Sequence, residues 1–335
     1  MKIFIGMLSS HPGLMEQNVL PYAKALIAMG HQVHCLIYKD CVYKQELKDM
    51  GTTLHILRER SRYNPINSMR ILWFLRKNQA DAILLHGNRI MSLVFNPFAR
   101  WFYQWKGKTI GIAHNFQCRY LNKLDALITT NSSYLHHLYR VIKTPVFTLP
   151  PTIILPKTPV AAKPHQPLAI GLWDNDKKNI VVFLQALEKL KTQKVPFRAV
   201  VASKFSASQF QSSVKNVKFI PQTSEEDFYT SLDIFCFLSV NDVFGISILK
   251  AMAYKKAFVC VKSAGAESIL KDISCLPLPR LNPELLSGAL QNLLAYPKLT
   301  EQQIKTAYNI FNHKYSFQIF KENLNRILKN IIQGV

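Results

Sequence analysis

From the first residues onward, short apolar runs alternate with longer stretches whose apolar positions recur at helical spacing. The runs at residues 3–8, 32–38, 53–57, 82–86, 109–113 and 126–130 predict strands. Between the first two, residues 16–29 are apolar at every third or fourth position and predict a helix closed by Gly30. Strand–helix alternation of this kind predicts parallel sheets joined by right-handed crossovers. The pattern breaks at residues 150–167, PPTIILPKTPVAAKPHQP, where six prolines in eighteen residues exclude both helix and interior strand. It then resumes, with strands predicted at 168–172, 198–202, 217–220, 233–238, 257–261 and 275–278. The tail predicts helices at 283–295, 301–313 and 317–332. The expected architecture is α/β, with two doubly wound Rossmann-like units facing a central cleft. The first spans 1–150, a proline-rich linker 151–167, the second 168–314 and a terminal helix 315–335. In such sheets ligands bind beyond the carboxyl ends of the strands.

Composition narrows the class. Of 335 residues, 48% are hydrophobic and 11% aromatic, enough for two cores and too much for a disordered chain. Only 12 glycines are present, so long glycine-rich phosphate loops are not expected. The 6 cysteines show no C-x2-C pairing, which fits neither a zinc site nor a disulfide framework and suits a reducing cytosol. The apolar run near the N-terminus is too short for a signal peptide, and no uncharged run reaches membrane-spanning length. The expectation is a soluble or peripheral cytoplasmic protein.

Charge adds partners to consider. Lys and Arg number 42 against 20 Asp and Glu, a net +22 that suits anionic lipid, nucleic acid or phosphorylated substrates. Residues 58–108 are the densest part: ten cations face only Glu59 and Asp81, so ten minus two leaves +8. Nine aromatics interleave there, among them Trp73, Trp101 and Trp105. Cations with Trp and Tyr suit docking to an anionic membrane; the plainer reading is a solvated face. No zinc finger, helix-turn-helix or RNP-like aromatic strand is evident, so nucleic acid is not the expected partner. Lys106-Gly107-Lys108-Thr109 resembles the end of a P-loop, but Phe102 stands where the first glycine belongs. After the first strand, MLSSHPG supplies no dinucleotide fingerprint.

The densest chemistry lies at 237–267, FLSVNDVFGISILKAMAYKKAFVCVKSAGAE. A strand ends near Ser239, a polar loop follows, and Phe244-Gly245 opens a helix through Ile246. Gly245 allows close backbone approach, and a helix N-terminus offers N–H groups and positive dipole to an anion. A second small-residue turn, Ser263-Ala264-Gly265-Ala266-Glu267, follows the next strand.

These residues resemble the signature of the retaining GT-B glycosyltransferases of family 4, S-x-x-E-x-F-G-[ILV]-x-x-[ILV]-E-A-M-A followed by a strand and a G-G-x-x-E turn. Ser239, Phe244, Gly245, Ile246, Leu249, Ala251, Met252 and Ala253 match in register, with Glu267 at the final Glu. Similarity extends along most of the chain. Gly13 to Glu16 resembles the first-loop G-G-x-E element, and Asp81 to His86 resembles D-x-x-H-x-H with its second histidine kept. Ala113-His114-Asn115 resembles the strand-end histidine motif, and the last helix the one that crosses back to the N-terminal domain.

The resemblance implies metal-independent, cofactor-free transfer of a sugar, of hexosyl type, from a nucleotide-sugar with retention. With the basic stretch, it implies a lipid-linked or lipopolysaccharide-type acceptor at the inner leaflet. By the same resemblance Lys178, with Lys177 nearby, holds the diphosphate beside the backbone of Phe244, Gly245 and Ile246. Asp242 and Glu267 contact sugar or nucleotide, and His114 positions the reacting end. Gly13, Glu16 and His86 fall on the acceptor side; Glu16 equally suits a helix-dipole role, and His86 a structural one. Two positions depart from the family pattern. Leu172 replaces the Arg of its phosphate clamp, and Lys250 replaces the second carboxylate of its Glu-x7-Glu pair, with Asp242 at the first. Leucine cannot bond phosphate, and a lysine has donors but no acceptor. Lys250 therefore marks a rebuilt donor site, a lost one, or a solvated lysine beside a working one. The rival reading is a non-catalytic GT-B-like binding or partner protein.

Overall fold

The computed structural model describes residues 1–8, 18–57, 65–113, 120–130, 142–155, 167–210, 216–222, 224–271, 273 and 275–333. The chain separates into two units, Met1–Ile154 with Ser316–Val335, and Leu155–Tyr315.

The first unit holds β1 (Lys2–Met7), α1 (Val19–Ala28), β2 (Gln32–Tyr38), α2 (Lys44–Asp49), β3 (Thr53–Leu57) and α3 (Pro65–Lys77). It continues through β4 (Ala82–His86), α4 (Asn88–Val94), α5 (Pro97–Tyr103), β5 (Lys108–Ala113), β6 (Ala126–Thr129) and β7 (Val146–Thr148). All its strands are parallel, in the order β3-β2-β1-β4-β5-β6-β7. The near-continuous apolar runs follow from burial on both faces. Ile3 and Ile5 of β1 enter one core with α1, while Phe4 between them enters the other with α3 and α4. Ala82 and Leu84 of β4 divide from Ile83 and Leu85 in the same way. Each buried Ile, Leu or Phe among them contributes roughly 1.5–3 kcal/mol by leaving water. The terminal helix Phe317–Gln333, numbered α12, belongs to this unit: Phe320, Leu324, Ile327 and Leu328 join the α1 core.

The second unit contains β8 (Ala169–Trp173), α6 (Lys177–Thr192), β9 (Arg198–Ala202), β10 (Val217–Ile220), α7 (Glu225–Thr230) and β11 (Ile234–Phe237). It ends with α8 (Ile246–Ala253), β12 (Ala257–Cys260), α9 (Ala264–Leu270), α10 (Pro283–Ala295) and α11 (Pro297–Ile310). Its five parallel strands run β10-β9-β8-β11-β12. Each sheet therefore reverses its winding once, between β1 and β4 in the first unit and between β8 and β11 in the second. Those switch points are where open α/β sheets bind ligands.

The strand content differs from the sequence expectation in two places. Residues 275–278 form no strand; Leu278 makes one isolated bridge to Val261, beyond the edge strand β12. β7 was not expected: Val146-Phe147-Thr148 is short, half-buried and follows Pro145, so it carries little periodicity.

Candidate functional site

In the second unit the loops after β8 and β11 meet the switch point. β8 ends at Trp173, and Asp174-Asn175-Asp176 leads into α6. Asp176 caps that helix, its carboxylate accepting from the Lys178 N–H at 2.8 Å. Such a cap contributes about 1 kcal/mol. Asp174 accepts from the Asp176 N–H and from Asn179 Nδ2, both at 2.8 Å, and burial pushes its carboxyl above the usual range. Asn175 donates to Gln222 Oε1 at 2.6 Å and accepts from the Lys204 N–H at 2.9 Å, tying together the loops after β8, β9 and β10. Lys177 and Lys178, the first two residues of α6, are exposed at this edge. Lys177 Nζ lies 5.1 Å from the centre of the Phe205 ring, and Lys204 Nζ lies at the same distance. Lys204 is thus a third cation at these strand ends, without a motif to reveal it in the sequence.

After β11 the chain makes a tight turn around Asp242. Its carboxylate accepts from the N–H of Phe244 at 3.1 Å and from the N–H of Gly245, while its carbonyl accepts from the Gly265 N–H at 3.0 Å. Burial raises the Asp242 carboxyl pKa, and the two N–H donors oppose that rise. Asp242 therefore shapes the turn with its own carboxylate. Gly245 has φ 66°, and a Cβ there would strike Ile269 and crowd the Gly265 carbonyl. A Cβ on Gly265 would strike Asp242 and the backbone of Phe244 and Gly245. The two small-residue turns are packed backbone to backbone, which is why both need glycine. Gly245 occupies the N-cap position of α8 and supplies no side chain, so the first-turn N–H groups are left for an anion.

Lys250 stands one turn further along α8, buried, with Nζ 2.5 Å from Glu225 Oε2 of α7. The solvated reading of Lys250 is set aside by this contact. Tyr229 of α7 also donates to the Ser247 carbonyl at 3.1 Å and stacks on Tyr254 at 5.4 Å, joining the two helices. Glu267, in α9, pairs with Lys262 at 3.2 Å, and both side chains are exposed. Leu172 lies in β8 between Val201 and Cys236, fully buried in the core of this unit. A cation at that position would require taking a charge into an apolar interior.

In the first unit His86 ends β4, buried, with its ring edge-on to Tyr22 at 5.1 Å; Tyr22 meets Phe320 of α12 at the same distance. Burial pushes the Tyr22 hydroxyl well above its ordinary pKa. Gly13, Glu16 and His114 lie outside the described residues, as does most of the proline-rich segment. Among the described residues no three His, Cys, Asp or Glu side chains converge as a metal site.

Residues 174–310 match the family model described as "Glycosyl transferases group 1", a segment that holds both turns and begins two positions after Leu172. The match lies wholly within the second unit. The whole chain is similar in fold to a glycosyltransferase from Rickettsia africae ESF-5, with TM-score 0.80 at 16% identity, covering 100% of this chain and 99% of that one. It is similar to Anabaena Alr3699/HepE in complex with UDP and glucose, with TM-score 0.77 at 12% identity over 98% and 99%. Sucrose-phosphate synthase from Thermosynechococcus elongatus gives 0.71 at 13% over 100% of both chains. The fold is GT-B. A comparison with curated protein sequences finds no match.

Proposed function

We propose that this GT-B protein transfers a sugar of hexosyl type from a nucleotide-sugar to a lipid-linked or lipopolysaccharide-type saccharide, with retention and without a divalent ion. The observation that carries the reading is that Lys177 and Lys178, after β8, and the uncapped start of α8, after β11, follow the two adjacent strands of the switch point, with Lys204 beside Lys177 at Phe205, in the segment that matches the group 1 glycosyl transferases. A diphosphate leaving group needs fixed cations and N–H donors as its charge grows, and these groups supply both. Asp242 acts by holding the Phe244-Gly245 turn in shape, so that the α8 N–H groups are aimed before the donor arrives. Glu267 contacts the sugar or nucleotide and His114 positions the reacting end, with Gly13, Glu16 and His86 on the acceptor side. On a front-face path the leaving phosphate takes the acceptor proton, so no protein nucleophile is required. The site of action is the cytoplasmic face of the inner membrane.

Leu172 and Lys250 favour a second reading, a GT-B protein that binds a partner without turning over a donor. A Leu sealed in the core and a Lys held by Glu225 contribute neither a fork for phosphate nor a free acceptor for a ribose.

A thermal-shift panel of UDP-, GDP-, ADP-, CMP- and dTDP-sugars separates the two, UDP-glucose first because the Anabaena relative holds it. At about one hundred times its Kd a donor stabilises by roughly 2.7 kcal/mol. The expected result is one nucleotide class raising the Tm, with the rise lost in Lys178→Ala. No shift across the panel supports the second reading.

A further inference from the structure

Helices α3 and α5 share a surface of the first unit unlike the rest of it. Arg76 near the end of α3 donates to the Tyr103 carbonyl at the end of α5, at 2.8 Å, and fixes the two side by side. On α5, Phe98, Trp101 and Phe102 lie three and four residues apart on one helical face. Their exposures are 61%, 72% and 53%, while Ala99 on the opposite side is fully buried. On α3, the outward row is Ile66, Arg70, Trp73 and Lys77, again at helical spacing, and all four are exposed. Trp73 carries Lys77 Nζ over its ring at 4.6 Å. Among the described residues, every exposed tryptophan and phenylalanine is on these two helices.

The charge around this face is one-sided. Residues 65–113 contain seven Arg or Lys and a single acid, Asp81, which accepts from the Lys2 N–H at 2.7 Å. Neither helix contains an Asp or Glu. Aromatic rings beside cations match the boundary between headgroups and acyl chains, where the rings sit below the phosphates and the cations at their level. A second copy of the chain fits poorly, because a two-fold contact through this face would bring Arg70, Lys77 and their mates together. Among the described residues no helix is long and apolar enough to cross a membrane, so contact would be from one side.

We infer that the α3–α5 face docks the protein on an anionic lipid bilayer, with Phe98, Trp101 and Phe102 entering the interface and Arg70, Lys77 and Lys106 meeting lipid phosphates. The inference stands apart from the donor site, since all of these residues belong to the first unit.

Flotation of the full chain with vesicles of phosphatidylcholine, alone or with about 30 mol% phosphatidylglycerol, tests it. Binding is expected only with the anionic lipid, and it weakens between about 50 and 500 mM salt. F98S/W101S/F102S should lower partitioning about tenfold or more, and R70S/K77S/K106S should do so at low salt. K48S/K298S/K305S removes the same charge from exposed positions elsewhere and should change it little. Brominated lipid should quench tryptophan emission in the wild type, less so in Trp101→Phe, a change that leaves the helix intact. Equal loss in the control triple, full binding by the aromatic triple, or no binding to either vesicle overturns the inference. So does a dimer by light scattering that the aromatic triple dissolves without any vesicle binding. Nucleotide-sugar shifts are read on the same variants, so a failed docking face and a failed donor site give different patterns.

Discussion

Lys250 and Glu225 illustrate what one contact can decide. The lysine is buried, the glutamate is half-exposed, and their 2.5 Å contact joins α8 to α7 from 25 residues away. Reversing one charge leaves two carboxylates facing each other where water reaches only one. Lys250→Glu should therefore cost about 2–4 kcal/mol in urea unfolding of the second unit. The swap Glu225→Lys with Lys250→Glu should recover most of that, a coupling of about 1–3 kcal/mol. Simple addition of the two single effects would show that the pair is not energetically joined. A second residue-scale case is His34 and His55, stacked beside Phe4, with His34 Nδ1 and His55 Nε2 2.9 Å apart. Burial, and then His34, lower the His55 pKa from 6.5 to about 4; burial, and then Lys2, lower that of His34. Between pH 6.5 and about 4 the unfolded chain binds protons there that the folded chain does not, so stability falls as pH falls through that window. Melting curves from about pH 7 to pH 4.5 should show this fall, and His55→Phe should make it shallower.

At the scale of elements, α12 is the most informative. Far along the chain from α1, it fills the first unit's core with Phe320, Leu324, Ile327 and Leu328. Leu324 is fully buried, so Leu324→Ala should cost about 2–5 kcal/mol, depending on how far the site collapses. Calorimetry should find the first unit's transition lowered and any nucleotide-sugar stabilisation of the second unit retained. The helix itself was legible, since 317–332 was expected against Phe317–Gln333 observed. Strands β2, β3, β4, β9 and β10 fall at the expected residues; β2 and β4 do so because both-face burial writes them as dense apolar runs, while the edge strands β3 and β10 are only partly buried. Residues 275–278 run beside the edge strand β12, but Pro277 has no N–H for a ladder and Leu276 is exposed, so only Leu278 bridges. Helix α11 begins at Pro297, four residues before the expected 301, because a proline at its first position suits a helix start that the apolar pattern does not mark.

For the whole molecule, the net charge of +22 says little about fold and much about surroundings. Its placement matters more than its size. Of the aromatics interleaved with cations at 58–108, Phe95 and Trp105 are buried, whereas Phe98, Trp101 and Phe102 are exposed. Sequence proximity does not separate them, since Trp105 and Trp101 are one helical turn apart along the chain. By itself, the amino-acid sequence determined the α/β alternation, most strand positions and the glycine turn at 244–245, because periodicity and backbone freedom are local properties. Only the tertiary structure decided that Glu225 holds Lys250, that Gly265 seats against Asp242, that Leu172 is core, and which rings face outward. Those outcomes depend on which elements the crossovers bring together, and a residue's own neighbours in sequence carry no record of that.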